Sequence, residues 1–97
     1  MVFEINMVTV APGQAARFEA AFAEAAPLLR GIAGCRSAAL LRCVERPGHY
    51  QVRVGWDRIE DHVDHYPNTP EAAEVRALLR PLIESSEAAH FLALGPG

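Results

Sequence analysis

Val2-Phe3-Glu4-Ile5-Asn6-Met7-Val8-Thr9-Val10, followed by the Pro12-Gly13 break, is the stretch on which the fold turns. Its β-branched content and the turn that ends it predict a strand over 2–10. One parity carries Phe3, Ile5, Met7 and Thr9, and the other Val2, Glu4, Asn6, Val8 and Val10. Both faces are therefore mostly apolar. A sheet with one wet face alternates more cleanly than this. The strand is expected to be covered on both sides, with Glu4 and Asn6 as polar intruders on one of them.

Working outward, residues 14–30 place Phe18, Phe22, Ala25, Ala26 and Leu29 on one stripe of a helix. Pro27 should kink or restart it. A second strand is expected over 37–45, the Pro47-Gly48 turn, and a third strand over 49–57. That third strand sets Tyr50, Val52, Val54 and Trp56 against His49, Gln51, Arg53 and Gly55. A short helical stretch follows over 58–66. Thr69 then caps a helix with Pro70 at its first position and Val75, Leu78, Leu79, Leu82 and Ile83 as its buried stripe. Residues 87–94 form the last strand. The order β-α-β-β-α-β predicts an α+β, ferredoxin-like single domain over 1–97: a four-stranded antiparallel sheet with both helices on one face. The other face stays apolar on the first strand, which implies a second copy packed sheet against sheet as a homodimer.

Composition narrows the functional classes. The chain has 97 residues and a net charge of −3, with nine basic residues, all of them arginine. An acidic balance disfavours nucleic-acid binding. The lack of lysine excludes Schiff-base chemistry and a Walker-type phosphate loop. No secretory pattern, no apolar run of membrane-spanning length and two isolated cysteines, Cys35 and Cys43, lead to the expectation of a soluble cytoplasmic protein with reduced thiols.

The strand ending in Pro-Gly, Phe18 and Phe22, the Ala33-Gly34-Cys35 bend, the hairpin closing on Gly55-Trp56-Asp57, His62 and His65, Thr69-Pro70 and Arg76-Ala77-Leu78-Leu79 together resemble the antibiotic biosynthesis monooxygenase family of dimeric α+β barrels. The resemblance spans about residues 2–94. It implies a pocket between sheet and helices and one of two oxidative chemistries. Some members oxygenate anthrones, phenols or quinols with O₂ and no metal or organic cofactor, through a deprotonated substrate that itself reduces oxygen. Others bind and degrade haem, and related members are isomerases. Of the haem-degrader pattern, Asn6 matches, but His65 and Val75 stand where tryptophan and histidine would be. The anthrone-oxygenase pattern keeps Trp56 but has Val52 and His62 in place of its asparagine and tyrosine. The quinol-oxygenating branch resembles the chain better, through Trp56 and His65. No cofactor and no metal are expected.

The residues themselves allow a base. His62 and His65 are three apart and would share a helical face, where either could take a phenolic proton. A solvated acidic helix face is the plain alternative, and a zinc site lacks a second ligand pair at the usual spacing. His65 is the preferred base and His62 the second choice. Trp56 is expected to hold a planar ring, or else to be core. Asn6 is expected to bond the oxyanion or O₂. Glu4 reads as a pocket acid or a sheet-edge charge, and Tyr66 and Phe22 complete the expected lining. His49 and His90 read as structural. Arg42 and Arg53 are open between pairing across the hairpin and meeting an anionic substrate group. The expected function is a cofactor-independent monooxygenase acting on a small aromatic phenol, quinol or polyketide-type substrate. The alternative is a non-oxidative isomerase or binding protein on the same scaffold.

Overall fold

The computed structural model describes residues 1–95. Strand β1 (Val2–Val10) leads into helix α1 (Ala15–Arg30), strands β2 (Cys35–Arg42) and β3 (His49–Trp56), helix α2 (Pro70–Leu79) and strand β4 (Ile83–Leu92). All pairings are antiparallel and the sheet order is β2-β3-β1-β4, the ferredoxin-like arrangement. The helix-facing parity of β1 is the one with Glu4, Asn6, Val8 and Val10. Val8 and Val10 join Phe18, Phe22, Leu29, Val52, Val54, Trp56 and Val75 in the core.

Local chemistry explains most boundaries. Thr69 takes an extended conformation and its hydroxyl accepts the Ala72 N–H at 3.2 Å, with Pro70 opening α2. Helix α1 runs unbroken through Pro27, so the helix does not restart there. Pro27 lies in the last turn on the exposed side, so only one intrahelical bond is lost and its carbonyl partner can face water. Strand β2 starts at Cys35 and ends at Arg42, shifted from 37–45, with an irregular register between Cys35 and Ser37. Strand β4 starts at Ile83, because the Arg80–Leu82 turn around Pro81 ends the helix and frees Ile83 for pairing with Val10. Leu82 and Ile83 are thus not part of the α2 stripe; they pack on the core from the turn and the strand.

The stretch expected as one short helix over 58–66 is two different turns. Asp61–His65 is a π-helical turn, and Tyr66–Asn68 a 3₁₀ turn. Wide i→i+5 turns of this kind are rare. Here the turn is held at its start by Asp61, whose carboxylate accepts the Arg58 N–H at 3.1 Å. Asp61 in turn lies against Gly34, which has φ +88° and where a Cβ would fall 2.4 Å from Asp61 Cγ. The glycine bend before β2 therefore lets the 61–65 turn sit directly over the end of the sheet.

The helix-free face bears Phe3, Ile5 and Met7 of β1 beside Ala39 and Leu41 of β2 and Ala89 and Phe91 of β4. Met7 is 55% and Phe91 52% exposed in the single chain.

Candidate functional site

Two adjoining cavities lie between the sheet and the helices. The inner one, ≈ 120 Å³, is walled by Val8, Phe18, Leu29, Val52, Val54, Val75 and Leu79. The outer one, ≈ 670 Å³, opens past His62, Arg76, Arg80 and Ser85. Glu4, Asn6 and Tyr66 line both. An apolar chamber with a few convergent polar groups is the usual form of a small-molecule site.

The polar groups converge on Glu4. Its Oε2 accepts from Asn6 Nδ2 at 2.8 Å, and its Oε1 accepts from Trp56 Nε1 at 3.1 Å. His62 Nε2 stands 3.2 Å from the same Oε1, and the two side chains are only 19% and 14% exposed. Register explains the convergence. Across β1–β3, Glu4 is opposite Val54 and so diagonal to Trp56, within reach of a long aromatic side chain. Across β1–β4, Glu4 is directly opposite His90. The 61–65 turn lowers His62 onto this spot, and His62 Nδ1 meets His90 Nε2 at 2.7 Å.

Aromatic rings fix His62 in place. It stacks on Trp56, with centroids 5.3 Å apart and planes at 21°, and Tyr66 tilts against both rings at 5.7 Å. Burial pushes the His62 pKa below its ordinary value, the nearby His90 adds to this, and the Glu4 carboxylate opposes it. The ring is therefore a neutral base near pH 7. Burial, reinforced by Glu4, pushes the Tyr66 phenol up, so it remains a protonated hydrogen-bond donor.

Several expected placements change. His65 is exposed and lines neither cavity, so it does not meet Asn6 or Trp56. The reason is the π-helical turn: residues three apart diverge further around its axis than on an α-helix, and only His62 points inward. Trp56 is fully buried (0% exposed) and lines neither cavity. It holds Glu4 and His62 rather than presenting its ring to the chamber. Phe22 is likewise core and not lining. Arg42 pairs with Glu19 of α1 at 2.7 Å, and Arg53 donates to Gln51 at 2.7 Å. Neither lines either of these cavities. His90, read from sequence as structural, is part of the polar cluster. The available signal was register: in this topology β4 pairs with β1, and that pairing sets His90 beside Glu4.

Among the described residues, no group of three or more His, Cys, Asp or Glu side chains is arranged to hold a metal ion. No described helix is long and apolar enough to cross a membrane.

The chain is similar to known proteins over nearly all of this framework. The Bacillus subtilis (strain 168) protein YczJ is 35% identical over 79 residues, covering 81% of this chain and 83% of that protein. A solved structure of a Bordetella bronchiseptica protein assigned to the antibiotic biosynthesis monooxygenases is 30% identical, covers 96% of each chain and superposes with a TM-score of 0.91. SnoaB from Streptomyces nogalater, a cofactor-independent oxygenase, is 26% identical over 98% of this chain and 94% of its own, with a TM-score of 0.85. The family model for antibiotic biosynthesis monooxygenase matches residues 1–78, which hold Glu4, Asn6, Trp56, His62 and Tyr66, and the chain belongs to the antibiotic biosynthesis monooxygenase family.

Proposed function

We propose that the protein is a cofactor-independent monooxygenase of small, planar phenolic or quinol-type aromatics, with Glu4 as the base and His62 as its partner. The observation that carries this is the Glu4 cluster: a largely buried carboxylate facing an apolar chamber, held by two neutral N–H donors, Asn6 and Trp56, with His62 Nε2 at 3.2 Å and no arginine among the described residues paired with it. Such donors hold the carboxylate in place, and the carboxylate keeps lone pairs for a substrate proton. The similarity to SnoaB supports oxygen chemistry without a cofactor.

In this mechanism the chamber walls sandwich the substrate ring while its acidic O–H or C–H faces Glu4. Loss of that proton leaves an electron-rich anion, which Asn6 and the Tyr66 hydroxyl stabilise at its oxygen. The anion then reduces O₂. For a CH₂ flanked by aromatic rings the balance is CH₂ and O₂ giving C=O and H₂O. Two C–H bonds break, one oxygen atom stays on carbon, and the other leaves as water. The substrate supplies all four electrons. Oxygen uptake matched mole for mole by anthraquinone formation from an anthrone is the test. Conversion at the same rate under nitrogen would instead support the isomerase alternative.

Phe3, Ile5, Met7, Leu41 and Phe91 on the helix-free face further support a single-domain protein that works as a homodimer, sheet against sheet. Sedimentation at micromolar concentration should give twice the 10.5 kDa chain mass, and a species of one chain mass would contradict the dimer.

A further inference from the structure

We propose that Glu4, His62 and His90 form a proton relay from the cavity to solvent, with His90 as its outer end. The inference rests on the base role of Glu4 proposed above. Three side chains from separate elements (β1, the 61–65 turn and β4) lie in one line of contacts, 3.2 Å from Glu4 to His62 and 2.7 Å from His62 to His90. The exposure rises along that line, from largely buried Glu4 and His62 to exposed His90. His62 uses both ring nitrogens in the chain, one toward each neighbour, which is the arrangement that lets an imidazole accept a proton on one side and release one on the other.

The chemistry gives such a path a task. Two protons leave the same carbon in one turnover, and both end on the oxygen that departs as water. A path that exchanges protons between Glu4 and solvent empties the carboxylate before the second C–H breaks and returns a proton to the departing oxygen. With Glu4 protonated, its O–H breaks as His62 Nε2–H forms. The His62 Nδ1 proton passes to His90 Nε2, and the His90 Nδ1 proton passes to water. Glu4 is again an anion, both rings have switched tautomer, and ring turning or exchange with water resets them. No oxidant or reductant is involved in this step.

The groups facing His62 are Glu4 on β1, Trp56 on β3, His90 on β4 and the following Tyr66, with Arg76 of α2 across the outer cavity. Of these, His90 is the one that reaches solvent from a ring nitrogen bonded to His62. It is also outside residues 1–78 that match the family.

Two variants test the relay. His90→Gln keeps an amide oxygen that can accept from His62 Nδ1 but cannot pass a proton on, and His90→Leu removes the bond altogether. Both are expected to lower kcat about tenfold or more with KM within about twofold, since a proton-transfer step is lost while binding is not. Millimolar imidazole should restore turnover of both variants and leave the wild type unchanged. A merely structural His90 would be replaced well by glutamine and would not respond to imidazole; either outcome overturns the relay. A readout without substrate is the ¹⁵N titration of His62. His90 is one of the neighbours that hold the His62 pKa down, so the transition should move to higher pH in His90→Gln. An unchanged transition overturns the relay alone. No oxygen uptake by the wild type with any phenol or quinol overturns the oxygenase assignment, and the relay with it.

Discussion

Glu4→Gln is expected to lower turnover by about 10²–10⁴-fold, the usual worth of a positioned base, while leaving the fold in place. Glutamine has the shape of glutamate and keeps one acceptor oxygen for Trp56 Nε1. The other terminal atom becomes an NH₂ facing Asn6, and a flip of the Asn6 amide presents its oxygen to it. All hydrogen bonds of the cluster survive this exchange, and what disappears is the anion. Steady-state oxygen uptake together with a melting curve checks it: a large fall in kcat with a nearly constant Tm is the expected pair. Loss of turnover accompanied by unfolding would trace the effect to stability instead.

Trp56→Ala is expected to cost about 3–5 kcal/mol, the range for emptying a buried large aromatic site. Trp56 is completely buried at the end of β3 and touches both His62 and Tyr66. In a domain of this size each kcal/mol is worth roughly 4–8 °C in Tm, so a fall of more than about 10 °C follows. Trp56→Phe fills most of the space but removes the N–H on Glu4, at a cost of about 1–3 kcal/mol for the bond left unmade. Denaturant unfolding of the three proteins measures this order. A Trp56→Ala chain as stable as the parent would show that the ring is not the keystone of the cluster.

The legibility of this chain from sequence divides along physical lines. The two-sided apolar β1, the Phe18–Leu29 stripe and the Thr69-Pro70 cap are local patterns, and local patterns determine the element order and hence the topology. Asn6 and Glu4 stood out because polar residues on a buried strand face must find partners. The identity of those partners was not local. His62 and His65 are separated by the choice between an α-helical and a π-helical turn, and nothing in Asp61-His62-Val63-Asp64-His65 itself dictates the wider turn. It depends on Asp61 fitting against Gly34, far away in the chain. His90 was missed for a similar reason: its significance depends on the β1–β4 register, which a one-residue slip would reverse. Trp56 illustrates the converse. An aromatic at the end of an apolar stripe reads equally as core or as lining, and packing of the 61–65 turn over it decides for core.

The central claim is that the substrate loses its proton to Glu4 before oxygen reacts, and anaerobic mixing tests this most directly. An anthrone or hydroquinone is added to the protein under nitrogen, its absorption spectrum is recorded, and air is then admitted. The prediction is a red-shifted anion band, stoichiometric with sites in the wild type, absent with Glu4→Gln, and decaying to quinone when oxygen enters. Equal anion bands with wild type and Glu4→Gln, or aerobic turnover by a wild type that forms no anion under nitrogen, would contradict it.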